Sequence, residues 1–196
     1  MVSASQPPEL PEPEVEYRLP AWIEPPADVV PGIVPVELIL ARTSQRAVGL
    51  TGVRAYPNGF GFTLHLRLRA LIPGEQAEFG LVGGDVDPAG EFADYCFRFG
   101  VGFADGRKAT NLDPNYWLDE VERPPPVLTA VRVDGYDHRS FDLGVWVWGL
   151  PPPGPLAFVC AWPARQIPES RVEVDAALVL EAAGRAQAIW PGETPR

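Results

Sequence analysis

From Val36 onward, apolar residues alternate with polar ones far more often than they recur at helical spacing, and the chain reads as a series of strands punctuated by turns. Val36 to Arg42 is a short strand, and Thr43-Ser44-Gln45-Arg46 a polar turn before the strand Ala47 to Tyr56. Pro57-Asn58-Gly59 predicts a tight hairpin, because Asn and Gly both tolerate positive φ. In Phe60 to Leu71, Phe60, Phe62, Leu64, Leu66 and Leu68 face one way and Thr63, His65, Arg67 and Arg69 the other. That is a half-buried antiparallel strand with a wet outer face. Tyr95, Phe97, Phe99, Val101 and Phe103 repeat the pattern. Their outward neighbours include Gly100 and Gly102, which predicts a covering group there, either the N-terminal arm or a Trp ring. Asp105-Gly106 turns into Arg107 to Leu112, and Val127 to Val133 is a further strand ending at Asp134-Gly135.

Phe141 to Leu150 and Leu156 to Trp162 are apolar on both faces, so each belongs at the centre of a layer covered on both sides. Pro151, Pro152, Pro153 and Pro155 lack amide donors, and with Gly154 they make a rigid corner between the two runs. Near the end, Ser170 and Glu173 form an S-x-x-E capping box, and Val172, Ala176, Val179, Ala183 and Ala186 follow at near-helical spacing. These predict a helix over 169–188, packed on the tryptophans of the central runs. The expected architecture is all-β: an antiparallel β-sandwich or flattened barrel of about eight strands, with one C-terminal helix and a Pro-rich N-terminal arm.

Composition adds the arm. Residues 1–34 hold eight prolines and six acids against the single base Arg18, with Trp22, Ile23, Val29, Val30 and Ile33 as apolar anchors in the second half. A partly disordered arm tethered along a single β-rich domain, 35–196, is expected. The stretch 72–93 reads as an exposed, acidic, glycine-rich excursion, and Asp113 to Pro126 as a loop carrying Trp117. The net charge of −10 argues against nucleic-acid binding. Fifteen of the sixteen basic residues are Arg and only Lys108 is Lys, the mark of a GC-rich coding sequence. The opening MVSASQPPELPEPE lacks the basic and apolar regions of a signal peptide, and no run suits a transmembrane helix; a cytoplasmic location without membrane contact is the expectation.

The runs Phe99-Gly-Val-Gly-Phe-Ala-Asp-Gly-Arg107, Trp146-Val-Trp148, the Leu150-to-Leu156 proline corner and Ile167-Pro-Glu-Ser-Arg171 resemble those of an uncharacterised protein family of high-GC, actinobacterium-like genomes. The resemblance extends over most of the chain from about residue 20 and implies no activity, cofactor or catalytic residue.

Chemistry-bearing patterns are sparse. Asp85, Asp87 and Asp94 with Gly90 echo a calcium loop. Ala89 and Cys96 occupy positions where ligands belong, so a solvated acidic loop is the preferred reading and no metal is expected. Asp137, His138 and Ser140 gather an acid, an imidazole and a hydroxyl on one turn, but neighbours on an extended chain point apart, and a polar hairpin tip is preferred. Cys96 and Cys160 read as buried thiols; a Cys160–His65 nucleophile pair is disfavoured by the apolar setting of Cys160. Zinc spacing and nucleotide-binding glycine motifs are missing, so no cofactor is expected. Trp146, Trp148 and Trp162 suit a sugar-stacking platform or, preferably, core. Three functions remain. The first is a non-enzymatic interaction protein, binding a protein partner through a strand edge, the arm or the 72–93 loop. The second is a hydrolase using Asp137, His138 and the 85–94 acidic loop, and the third a module binding a sugar or an apolar molecule.

Overall fold

The computed structural model describes residues 19–70, 96–112, 124–136, 139–190 and 192. In chain order they form β1 (Val29–Val30), β2 (Gly32–Ile33), β3 (Leu38–Arg42), β4 (Arg46–Tyr56), β5 (Gly59–Leu68), β6 (Arg98–Gly102), β7 (Lys108–Thr110), β8 (Val127–Tyr136), β9 (Ser140–Trp148), β10 (Pro155–Trp162), β11 (Ile167–Asp175), α1 (Ala177–Ala183) and β12 (Gln187–Ala188). Every ladder is antiparallel. A six-stranded sheet runs β2-β4-β5-β9-β8, with β3 also paired to β4; a four-stranded sheet runs β11-β10-β6-β7; β1 and β12 pair separately. Among the described residues the fold is mostly β, with one α-helix and no closed barrel.

The inward sets of the alternating strands meet in one core. Phe60, Phe62, Leu64, Leu66, Leu143 and Val145 of the larger sheet share a buried cluster with Phe99, Val101, Phe158, Cys160 and Trp162 of the smaller one. Phe62 meets Phe158 edge-on across the sheets, 5.4 Å between ring centroids, and Phe97 meets Trp162 in the same way at 5.6 Å. The proline corner carries the chain from one sheet to the other: β9 lies between β5 and β8, and β10 between β11 and β6. Gly154 turns there with φ of +125°, a conformation that a side chain would strain.

The C-terminal region departs from the sequence reading. Helix 169–188 is replaced by strand β11, the seven-residue helix α1 and strand β12. Ser170 is not a helix cap; its hydroxyl donates to the Leu40 carbonyl of β3. Glu173 accepts from Arg171 on the outer face of β11. The helix begins later, where Asp175 Oδ1 accepts from the Ala177 amide at 2.9 Å. Val172, Val174 and Ala176 satisfy period two as well as a helical stripe, and the open edge of β10 decides between them. Nor does the helix rest on the tryptophans: Val179, Ala182 and Ala183 turn into the core beside β4, β2 and β5.

What covers Trp146 and Trp148 is the segment that follows residue 18. Trp22 packs on Trp148 with centroids 6.1 Å apart, Trp146 Nε1 donates to the Ala21 carbonyl at 2.9 Å, and Thr129 Oγ1 donates to the Trp22 carbonyl at 3.0 Å. Val29 and Tyr56 close over the same indole. The ring fits because Gly59 and Gly61 lie beneath it: a Cβ on Gly59 would stand 2.7 Å from Trp146 Cη2.

Candidate functional site

The outer face of the four-stranded sheet carries a trough, and its shape follows from which residue types share a row. Register places Glu173, Ala157, Gly102 and Lys108 side by side across the four strands, then Arg171, Val159, Gly100 and Thr110, with Ala161 beside Arg98 at the next row. Apart from Arg98 at the start of β6, the two central strands therefore present only small or short side chains. The flanking strands β11 and β7 present long or polar ones, and Arg98 stands at one end. The resulting cavity has a volume of about 360 Å³. Three strand spacings separate its walls, roughly 14 Å between main chains, enough for one extended chain to lie along the floor.

Gly100 and Gly102 form part of that floor. The covering group expected from sequence is not seen: among the described residues neither the segment from residue 19 nor a Trp ring lines the trough at these glycines. Residues 1–18 and Trp117, the other parts of that expectation, lie outside the described residues. Gly100 is required by its neighbour strand: a Cβ there would lie 2.6 Å from the Ala109 carbonyl oxygen and 3.1 Å from the Thr110 methyl. At Gly102 a Cβ would meet only ordinary van der Waals contacts, Arg171 Nη1 at 3.7 Å and the Ala157 Cβ at 3.8 Å. The lining carries both signs of charge, Lys108, Arg98 and Arg171 against Glu169, and Arg171 is held by Glu173 at 2.8 Å.

The opposite outer face, on the six-stranded sheet, holds a second polar arrangement. His65 lies directly across from Asp142 on β9 and from Gly49 on β4. Because Gly49 has no side chain, the imidazole leans along β4 to Thr51. His65 Nδ1 is 2.7 Å from Asp142 Oδ1, and Nε2 is 2.7 Å from Thr51 Oγ1. Arg67 Nη1 donates to the same carboxylate at 2.6 Å. Burial opposes ionisation of Asp142, but the hydrogen bonds and charges of Arg67 and His65 outweigh it and hold its pKa below the ordinary carboxylate value. One same-face step along β9 lies Gly144, which with Gly61 floors a depression of about 300 Å³ walled by Glu24, Pro25, Arg54, Tyr56, Val131 and Trp146. Burial pushes the Tyr56 hydroxyl pKa up, with Arg54 pulling the other way.

The residues singled out from sequence fall elsewhere. Asp85, Asp87 and Asp94, with the whole 72–93 stretch, and Asp137, His138 and Trp117 lie outside the described residues, as do residues 1–18. Ser140 begins β9, opposite Arg67, two positions from Asp142. Trp146 and Trp162 are 0% and 1% exposed, which leaves no ring face for a sugar, and Trp148 is half-buried against Trp22. The three rings are also divided, Trp162 in the core between the sheets and the other two on the outer face. Cys96 and Cys160 are buried free thiols, and burial pushes Cys160 up to about 11. Cys160 points into the core while His65 points outward from the other sheet, so the two do not meet. Among the described residues no group of three or more His, Cys, Asp or Glu is placed to hold a metal, and no helix is long and apolar enough to cross a membrane.

The grouping of Thr51, His65 and Asp142 escaped the sequence reading, since the residues stand 14 and 77 positions apart. In the sequence His65 is one of several wet outward residues of β5, and only the ladder register singles out its partners. Comparison with protein-family models, curated proteins and solved structures finds no match.

Proposed function

We propose that this chain is an interaction protein, acting in the cytoplasm as a β-sandwich, and that it docks an extended segment of another protein in the trough of the four-stranded sheet. The observation that carries the reading is the lateral sorting of side chains: small residues on β10 and on β6 beyond Arg98, charged or polar ones on β11 and β7. An apolar floor accommodates short side chains of a bound strand, and walls of both signs select the order of its charges. The edge strand β8 is a weaker docking device. Its ladder with β9 is interrupted between Ala130 and Arg132 and between Val133 and Gly135, and such irregularities discourage edge-on pairing.

Gly102 supplies the test, because it lines the trough and a Cβ there makes only ordinary van der Waals contact, with Arg171 and Ala157. Gly102→Trp fills the trough with the fold intact, as thermal unfolding would verify. A photocrosslinker at Lys108 is expected to capture one discrete protein in the cells that express the chain, and Gly102→Trp is expected to abolish that product. Capture that is unchanged in Gly102→Trp, or no product at all, overturns the reading.

A further inference from the structure

The Thr51–His65–Asp142 chain has the order of groups that turns a hydroxyl into a nucleophile, and it adjoins an open depression. Nδ1 faces Asp142 Oδ1 at 2.7 Å and Arg67 Nη2 at 3.3 Å; two acceptors cannot approach within 2.7 Å, so the shorter contact decides and places a proton on His65 Nδ1. In the neutral imidazole Nε2 then carries the lone pair, and the Thr51 hydroxyl, 2.7 Å away, donates into it. Arg67 keeps the carboxylate ionised, which stabilises the imidazolium formed when that proton moves. The outward rows of the sheet place this relay next to the depression: Gly144 follows Asp142 on β9, Gly61 lies two outward positions from His65 on β5, and Arg54 is the next ladder residue after Thr51, past an irregularity in β4. Arg54 lines the depression and offers a guanidinium to an anionic group.

We propose that Thr51 is an acyl-accepting nucleophile, with His65 as its general base and Asp142 as the positioning residue, acting on small oxoesters that carry an anionic group for Arg54. As Thr51 Oγ bonds to the ester carbonyl carbon, its proton passes to His65 Nε2. Collapse of the tetrahedral adduct breaks the bond to the leaving oxygen, which takes the proton from His65 and departs as the alcohol. Water then attacks the Thr51 ester, giving a proton to His65. The acid leaves, and the proton returns to Thr51. The sum is ester plus water giving acid plus alcohol.

The probes are 4-nitrophenyl acetate and its anionic counterpart, mono-4-nitrophenyl succinate, given to the full chain. Release of nitrophenolate should accompany one acyl adduct, located on Thr51 by peptide mass spectrometry and formed faster from the succinate. Thr51→Ser should form the adduct at its own hydroxyl, and His65→Gln should slow it about a hundredfold. Asp142→Asn should slow it at least about tenfold, with Asp142→Glu recovering part of the rate, which a purely structural carboxylate would not require. No adduct in the folded wild type, an adduct on another residue, or an adduct on Thr51 indifferent to His65→Gln would each overturn the proposal. None of these readouts involves the trough, so the docking reading stands or falls separately.

Discussion

A carboxylate bonded by both a guanidinium and an imidazole makes Asp142 the residue whose titration the fold feels most directly. Its folded pKa lies below the usual 3.8, so the ionised form stabilises the fold at every pH above that value, and the contribution is lost as pH falls through the depressed pKa. Urea midpoints should therefore drop below about pH 4 in the wild type. Asp142→Asn, less stable at neutral pH by about 1 kcal/mol for a half-exposed pair, should show a shallower decline, with the two curves converging in acid. Cys160 titrates in the other sense. With the thiol pushed up to about 11 by burial, it should not react with a disulfide reagent at pH 8 in the folded protein, and neither should buried Cys96; both should react once urea unfolds the chain. The apolar context of Cys160 was visible in sequence because a run of alternating large residues surrounds it. The partners of Asp142 were not, since side chains that meet across a ladder depend on register, and register emerges only when strands pair.

At the level of elements, the strands with strict alternation were legible and those with mixed signals were not. Strands β3 to β6, β9 and β10 coincide with apolar runs bounded by Asn-Gly, Asp-Gly, proline or polar turns, whereas β8 continues through the expected Asp134-Gly135 turn to Tyr136, Gly135 pairing with Asp142. β1 and β2 hide in a proline-rich stretch that reads as an arm, and two residues each are too few to show a period. β11 fits period two and a helical stripe equally, and its capping-box signature proved incidental to a strand whose serine reaches across to β3. The indole seat of β5 and β9 yields a further prediction. Gly59→Ala would thrust a methyl to 2.3 Å from the Val147 carbonyl oxygen and 2.7 Å from the Trp146 ring, so it should destabilise by about 1–3 kcal/mol. Trp146→Phe should cost a similar amount by vacating volume and leaving the Ala21 carbonyl without its donor. Chemical denaturation followed by fluorescence checks both, and a change under about 0.5 kcal/mol in either would mean that the ring is held loosely.

Over the whole molecule, the two outer faces have opposite designs on one shared core. One is a trough of small residues between charged walls, the other a glycine-floored depression partly roofed by the chain near Glu24 and Pro25. A net charge of −10 disfavours anionic polymers, yet leaves the single lysine at the trough wall, where a local cation is worth most against an acidic side chain. The sequence carried the all-β class, because alternation and turn chemistry are local. It did not carry the sorting of residues into two sheets, because that depends on the order in which the chain visits them: β2 to β5 in the larger, β6 and β7 in the smaller, β8 and β9 back in the larger, β10 and β11 in the smaller again. That shuttling bears on biosynthesis. While the ribosome still holds β9, the larger sheet has no complete lid; until β11 emerges, β10 has a bare flank and the tryptophan beside it no settled bed. The nascent chain thus spends most of its translation with aromatic surface exposed, and it should lean on a holding chaperone until its last few dozen residues are made.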